Sequence, residues 1–392
     1  MVRILYMSAN GFPSSRSHAR GSFSLEHARA LEEEGAKVIA VDMQAIGFQK
    51  EVLGDVTLLR APCLRSILRL GDVRMLLKYF HFYLELRHLK YDCVILSFFY
   101  LKYIPFVWLL KKRNVPIVGI VHGGEVMPGS FPRKVLKRYL FEKVDLVTPV
   151  SDYTNTLLSC LISRRNEDNA KIQTIYNGIE ITKLQSNTAV RPLRAQINAS
   201  DEDFLVLSVS NLVKRKGIDL IICAVDELLQ EGRKIKHVIV GSGPEETFLK
   251  GLAYQNGNQD NFYFMSNVEQ AELSEFFASS DVFALMSRTD WNKCQTEGFG
   301  IVYAEAMAVG TPVIGGGGSG TTTPVKDGFT GVLIDPNSSE VISKVKNEII
   351  RFMDDSEFYK SMSTNAQWYA RNEFSWRRNA RKTLLEISKL QN

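Results

Sequence analysis

Glu297 and Glu305 are two carboxylates eight residues apart in the segment EGFGIVYAEAMAVGTPVIGGGG, which ends at Gly318. Carboxylates accept hydrogen bonds at both oxygens and therefore bind vicinal hydroxyl groups well. The spacing predicts a pocket in which the two acids hold two polyols, such as a sugar and a ribose. The alternatives at this point are an internal ion pair for Glu305 and a solvated position for Glu297.

Glycines surround this pair of acids. Gly298 and Gly300 form a turn before a predicted helix over Ile301–Val309, and Gly310 ends that helix. Four glycines follow at 315–318, where a bare backbone allows a ligand to approach closely. The glycine run alone is equally typical of a mobile loop.

A cationic turn follows an earlier predicted strand in SVSNLVKRKGIDLII. It contains Asn211, Lys214, Arg215 and Lys216, and Gly217 precedes the next helix. Cations at the carboxyl end of a strand are suited to neutralising phosphates. A solvated basic loop explains this fragment equally well.

Two further strand ends carry polar or glycine-rich turns. In HVIVGSGPEE, Gly241 and Gly243 precede a helix start whose N–H groups could bind an anion, although the third glycine of a dinucleotide site is missing. In GIVHGGEV, His122 follows a strand and precedes two glycines, which fits a structural or a catalytic histidine.

The elements that position these turns alternate between short β-branched strands and longer amphipathic helices, which is typical of parallel sheets covered by helices. A chain of 392 residues is expected to form two such domains. We place a polar linker near residues 183–200, giving domains over 1–183 and 184–365 and a C-terminal helix over 366–392. The predicted strands are Arg3–Met7, Lys37–Val41, Cys93–Ser97, Ile117–Val121, Leu146–Pro149, Phe204–Val209, His237–Val240, Asn261–Met265, Val282–Leu285, Pro312–Ile314 and Gly331–Ile334.

Composition indicates a globular cytoplasmic protein. The five cysteines are widely spaced without a C-x-x-C pair, and MVRILYMSANGFP is too short an apolar run for a signal peptide. The apolar stretch Val94–Leu110 approaches the length of a membrane span, but Lys102 and Pro105 interrupt it, so we expect a buried strand followed by a helix.

The net charge of +5 is modest, and its basic residues cluster in two amphipathic segments, 63–90 and 131–143. Their basic faces are either solvated or docked on an anionic membrane surface. The membrane alternative would make the protein peripheral on the inner face of the plasma membrane. We expect no nucleic-acid partner.

In order and spacing these motifs resemble a retaining glycosyltransferase of family four, across nearly the whole chain. The resemblance implies a GT-B fold, in which two Rossmann-like parallel-sheet domains face a central cleft and the C-terminal helix crosses back to the first domain. Its most specific element is the E-x7-E pattern of Glu297 and Glu305. The supporting motifs are NLVKRKG, VGSGPE, VHGGE, VSDYT, YNGIE and a late FSW.

The resemblance also implies roles for individual residues. Glu305 would bind the ribose hydroxyls of a nucleotide sugar, and Glu297 would hold hydroxyls of the transferred hexose. Lys216 would neutralise the diphosphate, with Arg215 and Asn211 near it, and His122 would lie beside the sugar. The remaining donor contacts would come from Gly21 of the first domain, Gly241 and main-chain groups of Phe299, Gly300 and Ile301.

Three positions depart from the family pattern. Asn211 stands where many members have a phosphate-binding arginine, for which Arg215 could compensate. The segment Gly320–Pro324 lacks the acidic residue that members of the family often have there. Gly21 is a single glycine where relatives often have a pair.

The resemblance implies a hexosyltransferase that needs neither cofactor nor metal, with a nucleotide-diphosphate sugar as co-substrate. The acceptor would be lipid-linked or a growing polysaccharide, as in assembly of cell-envelope glycans. A non-catalytic nucleotide-sugar-binding subunit, a sugar-nucleotide epimerase and a phosphorylase remain alternatives, although no motif suggests the pyridoxal-bearing lysine of a phosphorylase.

Overall fold

The structure, a computed structural model, describes residues 1–8, 12, 22–42, 49–53, 56–60, 84, 86, 88–98, 101–127, 129, 131–162, 171–180, 192–266, 268 and 270–391. Gly21, most of the basic segment 63–90 and part of the predicted linker, residues 183–191, lie outside the described residues. The chain forms two compact units. The first comprises Met1–Gly178 and Trp376–Asn392, and the second comprises Ile179–Ser375.

An eight-stranded sheet forms the centre of the first unit, with strand order β3-β4-β2-β1-β5-β6-β7-β8. All neighbouring pairs are parallel except β3 and β4, which form an antiparallel edge. Every residue of β5 and of β6 is buried, as expected for central parallel strands covered on both faces. The strands are β1 Arg3–Ser8, β2 Lys37–Asp42, β3 Gln49–Leu53, β4 Val56–Arg60, β5 Cys93–Ser97, β6 Ile117–Val121, β7 Leu146–Pro149 and β8 Lys171–Ile172.

Within the described ranges, four helices with assigned bounds precede the second unit in sequence. They are α1 Ser22–Glu33, α2 Ile104–Lys111, α3 Phe131–Glu142 and α4 Asp152–Leu161. The VSDYT motif begins α4: the Ser151 hydroxyl accepts from the Thr154 N–H at 3.0 Å, and the Thr154 hydroxyl accepts from the Ser151 N–H at 3.0 Å. This reciprocal capping box satisfies two main-chain donors at the helix start.

The second unit contains a six-stranded, wholly parallel sheet with strand order β11-β10-β9-β12-β13-β14. Its strands are β9 Phe204–Val209, β10 Ile235–Val240, β11 Phe262–Met265, β12 Val282–Leu285, β13 Val313–Gly316 and β14 Gly331–Ile334. Its helices are α5 Pro192–Gln196, α6 Ile218–Gln230, α7 Glu246–Ala253, α8 Gln270–Ser279, α9 Ile301–Ala308, α10 Val341–Asp354 and α11 Ser356–Glu373. The order reverses at the β9–β12 pair, and ligands bind outside the carboxyl ends of strands at such a point.

The last helix, α12 Trp376–Gln391, belongs to the first unit. Arg377 and Arg381 both donate to the carboxylate of Glu34, at 2.8 and 2.7 Å, and Asn379 donates to the Tyr176 carbonyl at 2.7 Å. The sequence predicts one C-terminal helix over 366–392. The structure divides it at Phe374 and Ser375, because the Phe374 carbonyl accepts from the Ile179 N–H at 2.6 Å.

The stretch Val94–Leu110 forms a buried strand followed by a helix, as predicted. None of the helices that the structure describes is long and apolar enough to span a bilayer.

Candidate functional site

Loops that follow β9 and β12 meet in the second unit. Lys214–Lys216 form a short 3-10 turn after β9, and Gly217 adopts a left-handed φ of 65°. A Cβ atom at Gly217 would lie 2.1 Å from the Met286 carbonyl oxygen, so only glycine allows this approach. The glycine therefore brings the cationic turn against the chain that leaves β12.

That approach places two of the three cations of the turn beside Glu297. The Lys216 ammonium donates to Glu297 Oε2 at 2.5 Å, and Arg215 Nη1 lies 3.6 Å from the same oxygen. Burial on its own would raise the pKa of Glu297, but the charges of Lys216 and Arg215 outweigh burial and hold that pKa below its usual range. Glu297 is therefore ionised at neutral pH, and its single negative charge faces two positive charges.

Arg215 has unused hydrogen-bonding capacity in this cluster. Its Nη1 atom is buried and has no hydrogen-bond partner among the residues that the structure describes. A buried, unsatisfied guanidinium nitrogen is costly. An additional anion would satisfy that donor and balance the excess positive charge, which is what a diphosphate would do.

The start of α9 follows Glu297 directly. Gly300, the N-cap residue, has a φ of 87°, and a Cβ atom there would lie 2.7 Å from the Tyr303 ring. The Phe299 side chain is buried and packs edge-on against Phe374 at 5.3 Å, so only its main chain remains for a ligand. The first N–H groups of a helix lack intrahelical acceptors and favour anions. Ile301, the first helical residue, contributes one of these groups.

Glu305 lies in the second turn of α9 and is half-buried. Glu305 has at least one interaction within the protein. The contact with ribose hydroxyls that the family resemblance implies stays a prediction.

The loops after β9 and β10 pack backbone on backbone. Gly241 has a φ of 140°, and a Cβ atom there would lie 1.9 Å from the Ser210 carbonyl oxygen. The Leu212 N–H donates to the Ser242 carbonyl at 2.9 Å, while Asn211 is exposed. Gly241 and Asn211 are thus brought together on one edge of the sheet, and their donor contacts stay predictions.

The glycine run has a packing explanation that the sequence did not reveal. A Cβ atom at Gly316 in β13 would lie 2.4 Å from the Ser287 carbonyl oxygen, and one at Gly320 would lie 2.2 Å from the Gly298 backbone. Gly318 is exposed and has no atom near its Cβ position. Gly316 therefore allows β13 to pack against the chain that leaves β12, and Gly320, which follows the run, allows its loop to approach Gly298.

Sequence reasoning missed three interactions that support this region. The Arg288 guanidinium donates to the Asp219 carboxylate at 2.9 Å, and the Arg288 N–H donates to the Arg215 carbonyl at 2.6 Å. The buried Tyr303 hydroxyl donates to the Leu285 carbonyl. No sequence signal identified these partners, because each pair joins residues far apart in the chain.

His122 lies in the first unit, directly after β6. Its ring stacks on Phe98 with 3.8 Å between ring centres and an angle of 13°, and Phe23 meets it edge-on at 4.5 Å. Nε2 forms a 3.2 Å hydrogen bond with the Ser97 hydroxyl. Burial lowers the pKa of His122 to about 3, so the imidazole is neutral at pH 7. It can donate or accept one hydrogen bond there, but it carries no charge toward a ligand.

Glu125, the last residue of the VHGGE motif, supports the His122 turn. Its Oε2 accepts from the His122 N–H at 3.1 Å, and the carboxyl is buried with no partner for Oε1 among the described residues. Burial raises the pKa of Glu125 to about 7 from the usual 4.5.

We expect Glu125→Gln to remove a pH dependence from the stability of the first unit. Because the folded-state pKa of Glu125 is raised, its contribution is full below about pH 4.5 and is lost as the pH rises through 7. The variant should exceed the wild type by on the order of 3 kcal/mol at pH 8 and by little at pH 5. Urea unfolding at both pH values measures this difference, with the exposed Glu357→Gln as the control. Equal pH profiles for wild type and Glu125→Gln would contradict the raised pKa.

Gly21 lies outside the described residues. Within the described part of the chain, no group of three or more His, Cys, Asp or Glu side chains is arranged to hold a metal ion.

Comparison with known proteins identifies the family. The family described as Glycosyl transferases group 1 matches residues 190–368, and Glycosyltransferase Family 4 matches residues 21–183. A GDP-mannose-dependent alpha-(1-6)-phosphatidylinositol monomannoside mannosyltransferase of Mycolicibacterium smegmatis is 30% identical over 264 residues, which are 67% of this chain and 67% of that protein. The similarity thus spans about two thirds of that relative.

Solved structures confirm the two Rossmann-like parallel-sheet domains of the predicted fold. Sucrose-phosphate synthase from Thermosynechococcus elongatus superposes with a TM-score of 0.79 at 20% identity, covering 100% of this chain and 99% of that one. Anabaena HepE, solved with UDP and glucose, gives a TM-score of 0.75 at 19% identity, covering 99% and 100%. The two parallel-sheet units are therefore the Rossmann-like units of a GT-B fold. With the sequence matches over both units, the chain belongs to the family-four glycosyltransferases.

Proposed function

We propose that the protein is a retaining hexosyltransferase that moves a sugar from a nucleotide-diphosphate donor to a lipid-linked or polysaccharide acceptor. The observation that carries this proposal is the pairing of Lys216 and Arg215 with one carboxylate, Glu297, directly before the start of α9. The excess positive charge and the unsatisfied Arg215 nitrogen suit a diphosphate. The acids of the E-x7-E pattern, Glu297 and Glu305, suit hydroxyl groups.

The proposed mechanism depends on the charge of the leaving group. As the bond to the sugar breaks, negative charge grows on the nucleoside diphosphate, and cations and helix N–H groups stabilise that charge. Lys216, Arg215 and the start of α9 would supply this stabilisation. Glu297 would orient the hexose, and neutral His122 would hydrogen-bond to it. The acceptor would attack from the face that the diphosphate leaves, with a phosphate oxygen taking its proton.

The name of a relative supports a proposal for the donor and the acceptor. The mycobacterial relative is named for GDP-mannose and for a phosphatidylinositol mannoside acceptor, which supports a lipid-linked acceptor here. An enzyme acting on such an acceptor must reach a membrane. We therefore propose a cytoplasmic protein that associates peripherally with the inner face of the plasma membrane and functions in cell-envelope glycan synthesis.

A non-catalytic nucleotide-sugar-binding subunit is the second candidate. One observation favours it: Lys216 and Glu297, two of the residues assigned to catalysis, bond to each other. A donor would have to share or displace that contact before either residue could act on it.

A transfer assay distinguishes the two candidates. Purified protein is incubated with radiolabelled GDP-mannose or UDP-glucose and a bacterial lipid extract, and label in the organic phase is counted. We expect labelled glycolipid with one donor, with the anomeric configuration of that donor. Donor binding by calorimetry without transfer to any acceptor would contradict the enzyme and support the subunit.

The same assay tests metal independence, because the proposed mechanism assigns charge stabilisation to side chains and N–H groups. We expect the initial rate to survive addition of EDTA. A loss of activity that Mg²⁺ restores would contradict this part of the proposal.

A further inference from the structure

Large apolar side chains are exposed together on two helices of the first unit. Trp108 of α2 is 56% exposed, while Val135, Leu136 and Tyr139 of α3 are 51%, 47% and 42% exposed. A groove of about 490 Å³ runs between the two helices, with Trp108 on one side and Tyr139 on the other. An exposed apolar patch of this kind marks an interaction site. We call the surface of residues 104–112 and 131–143 the α2–α3 face.

Lysines lie directly over both aromatic rings of the α2–α3 face. The Lys112 ammonium lies 3.7 Å from the centre of the Trp108 ring, and the Lys143 ammonium lies 5.4 Å from that of Tyr139. Each ring thus combines an apolar body with a cation over its face. Trp and Tyr with this character favour the boundary between lipid headgroups and acyl chains.

The α2–α3 face carries an excess of positive charge. Four exposed cations have no acidic partner among the residues that the structure describes: Lys112, Arg133, Lys134 and Lys143. The nearby acids are already neutralised, because Glu142 pairs with Arg138 at 2.7 Å and Asp145 pairs with Lys111 at 2.6 Å. A partner for this face must therefore combine negative charge with an apolar interior, which an anionic bilayer does.

We propose that the α2–α3 face docks on an anionic lipid bilayer, with Trp108, Leu136 and Tyr139 entering the headgroup region and the lysines contacting lipid phosphates. In the sequence, only the basic segments 63–90 and 131–143 suggest membrane docking, and most of the first lies outside the described residues. The structure adds α2 to this surface. This inference rests on the proposed function only in one respect: a lipid-linked acceptor explains why the protein would dock on a membrane. Lipid binding itself can be measured without a sugar donor or acceptor.

Vesicle sedimentation of the full chain tests the proposal. We expect the protein to sediment with vesicles of phosphatidylcholine mixed with phosphatidylglycerol, at least about tenfold more tightly than with phosphatidylcholine alone. The variant that combines Lys216→Ala with Glu297→Gln, in which both charges of the ion pair are removed, should bind vesicles normally, so a failure of sugar transfer and a failure of docking are distinguishable. Equal binding to both vesicle types, or none to either, would overturn the proposal, and would leave an acidic protein as the partner of this face.

Paired variants locate the docking surface. Trp108→Ser with Leu136→Ser, and separately Lys112→Glu with Lys134→Glu, should each weaken binding to the anionic vesicles at least about tenfold. The matched controls are Phe248→Ser with Trp368→Ser, which are 58% and 60% exposed in the second unit, and Lys344→Glu with Lys360→Glu. Controls that weaken binding as much as the α2–α3 variants would show that another surface docks.

Fluorescence quenching by lipid distinguishes loss of docking from misfolding of the variant. Brominated lipids quench a tryptophan only where its ring enters the bilayer. We expect quenching of the wild type on anionic vesicles, and we expect Trp108→Phe to sediment normally but to lose most of that quenching. Unchanged quenching in Trp108→Phe would overturn the assigned orientation.

Discussion

Replacing Lys216 with alanine is expected to lower the rate of sugar transfer at least tenfold and to destabilise the second unit. Losing one donor to a developing charge typically costs about 3 kcal/mol in the transition state. Removing one partner of a buried ion pair costs about 3–5 kcal/mol of folding free energy, because the other charge is left uncompensated. Both apply here, since Lys216 and the nearly buried Glu297 bond to each other. Transfer assays and urea unfolding measure the two effects.

A double variant separates the two effects of Lys216→Ala. Adding Glu297→Gln removes the uncompensated charge, so stability should recover while transfer stays low. Lys214→Ala is the matched control, because Lys214 lies in the same turn but is exposed. Recovery of transfer together with stability in the double variant would show that the pair is structural only.

Replacing Gly300 with alanine is expected to weaken donor binding more than about tenfold. A left-handed conformation costs a non-glycine residue roughly 1–2 kcal/mol, and the new Cβ would lie 2.7 Å from the Tyr303 ring. The ring cannot move easily, because it is buried and its hydroxyl donates to the Leu285 carbonyl. The start of α9 must therefore shift, and its N–H groups would lose their alignment with a diphosphate. Calorimetry with GDP and UDP measures the loss.

Gly328→Ala is the control that introduces backbone strain without a steric contact. Gly328 has a similar φ of 71°, but nothing lies within 4 Å of its Cβ position. This control should lower the melting temperature slightly and leave nucleotide binding unchanged. Equal nucleotide affinity in both variants would argue against a donor site at the start of α9.

The central strands could be predicted from sequence because their signal is local. The eleven predicted strands all appear, with bounds shifted by at most two residues, since short β-branched runs buried on both faces stand out from amphipathic helices. The strands β3, β4 and β8 were not predicted. QKEVL and VTLLR form an edge pair with polar positions, and β8 has only two residues, so neither shows a buried apolar run.

The site could be predicted only in part, for a related reason. The E-x7-E pattern and the cationic turn identified Glu297 and Lys216 separately, but their ion pair joins residues 81 positions apart. It depends on the backbone contact between Gly217 and Met286, which no single segment encodes. The same limit applies to Trp108: its segment reads as a core helix, and only the packing of α2 beside α3 shows that the ring is exposed.

A crystal structure of the protein with a bound nucleotide-diphosphate sugar tests the central claim most directly. We expect the diphosphate to lie within hydrogen-bonding distance of Lys216 Nζ, Arg215 Nη1 and the first N–H groups of α9, with ring hydroxyls on Glu297 and Glu305. A donor bound elsewhere on the second unit, with the Lys216–Glu297 pair untouched, would contradict it.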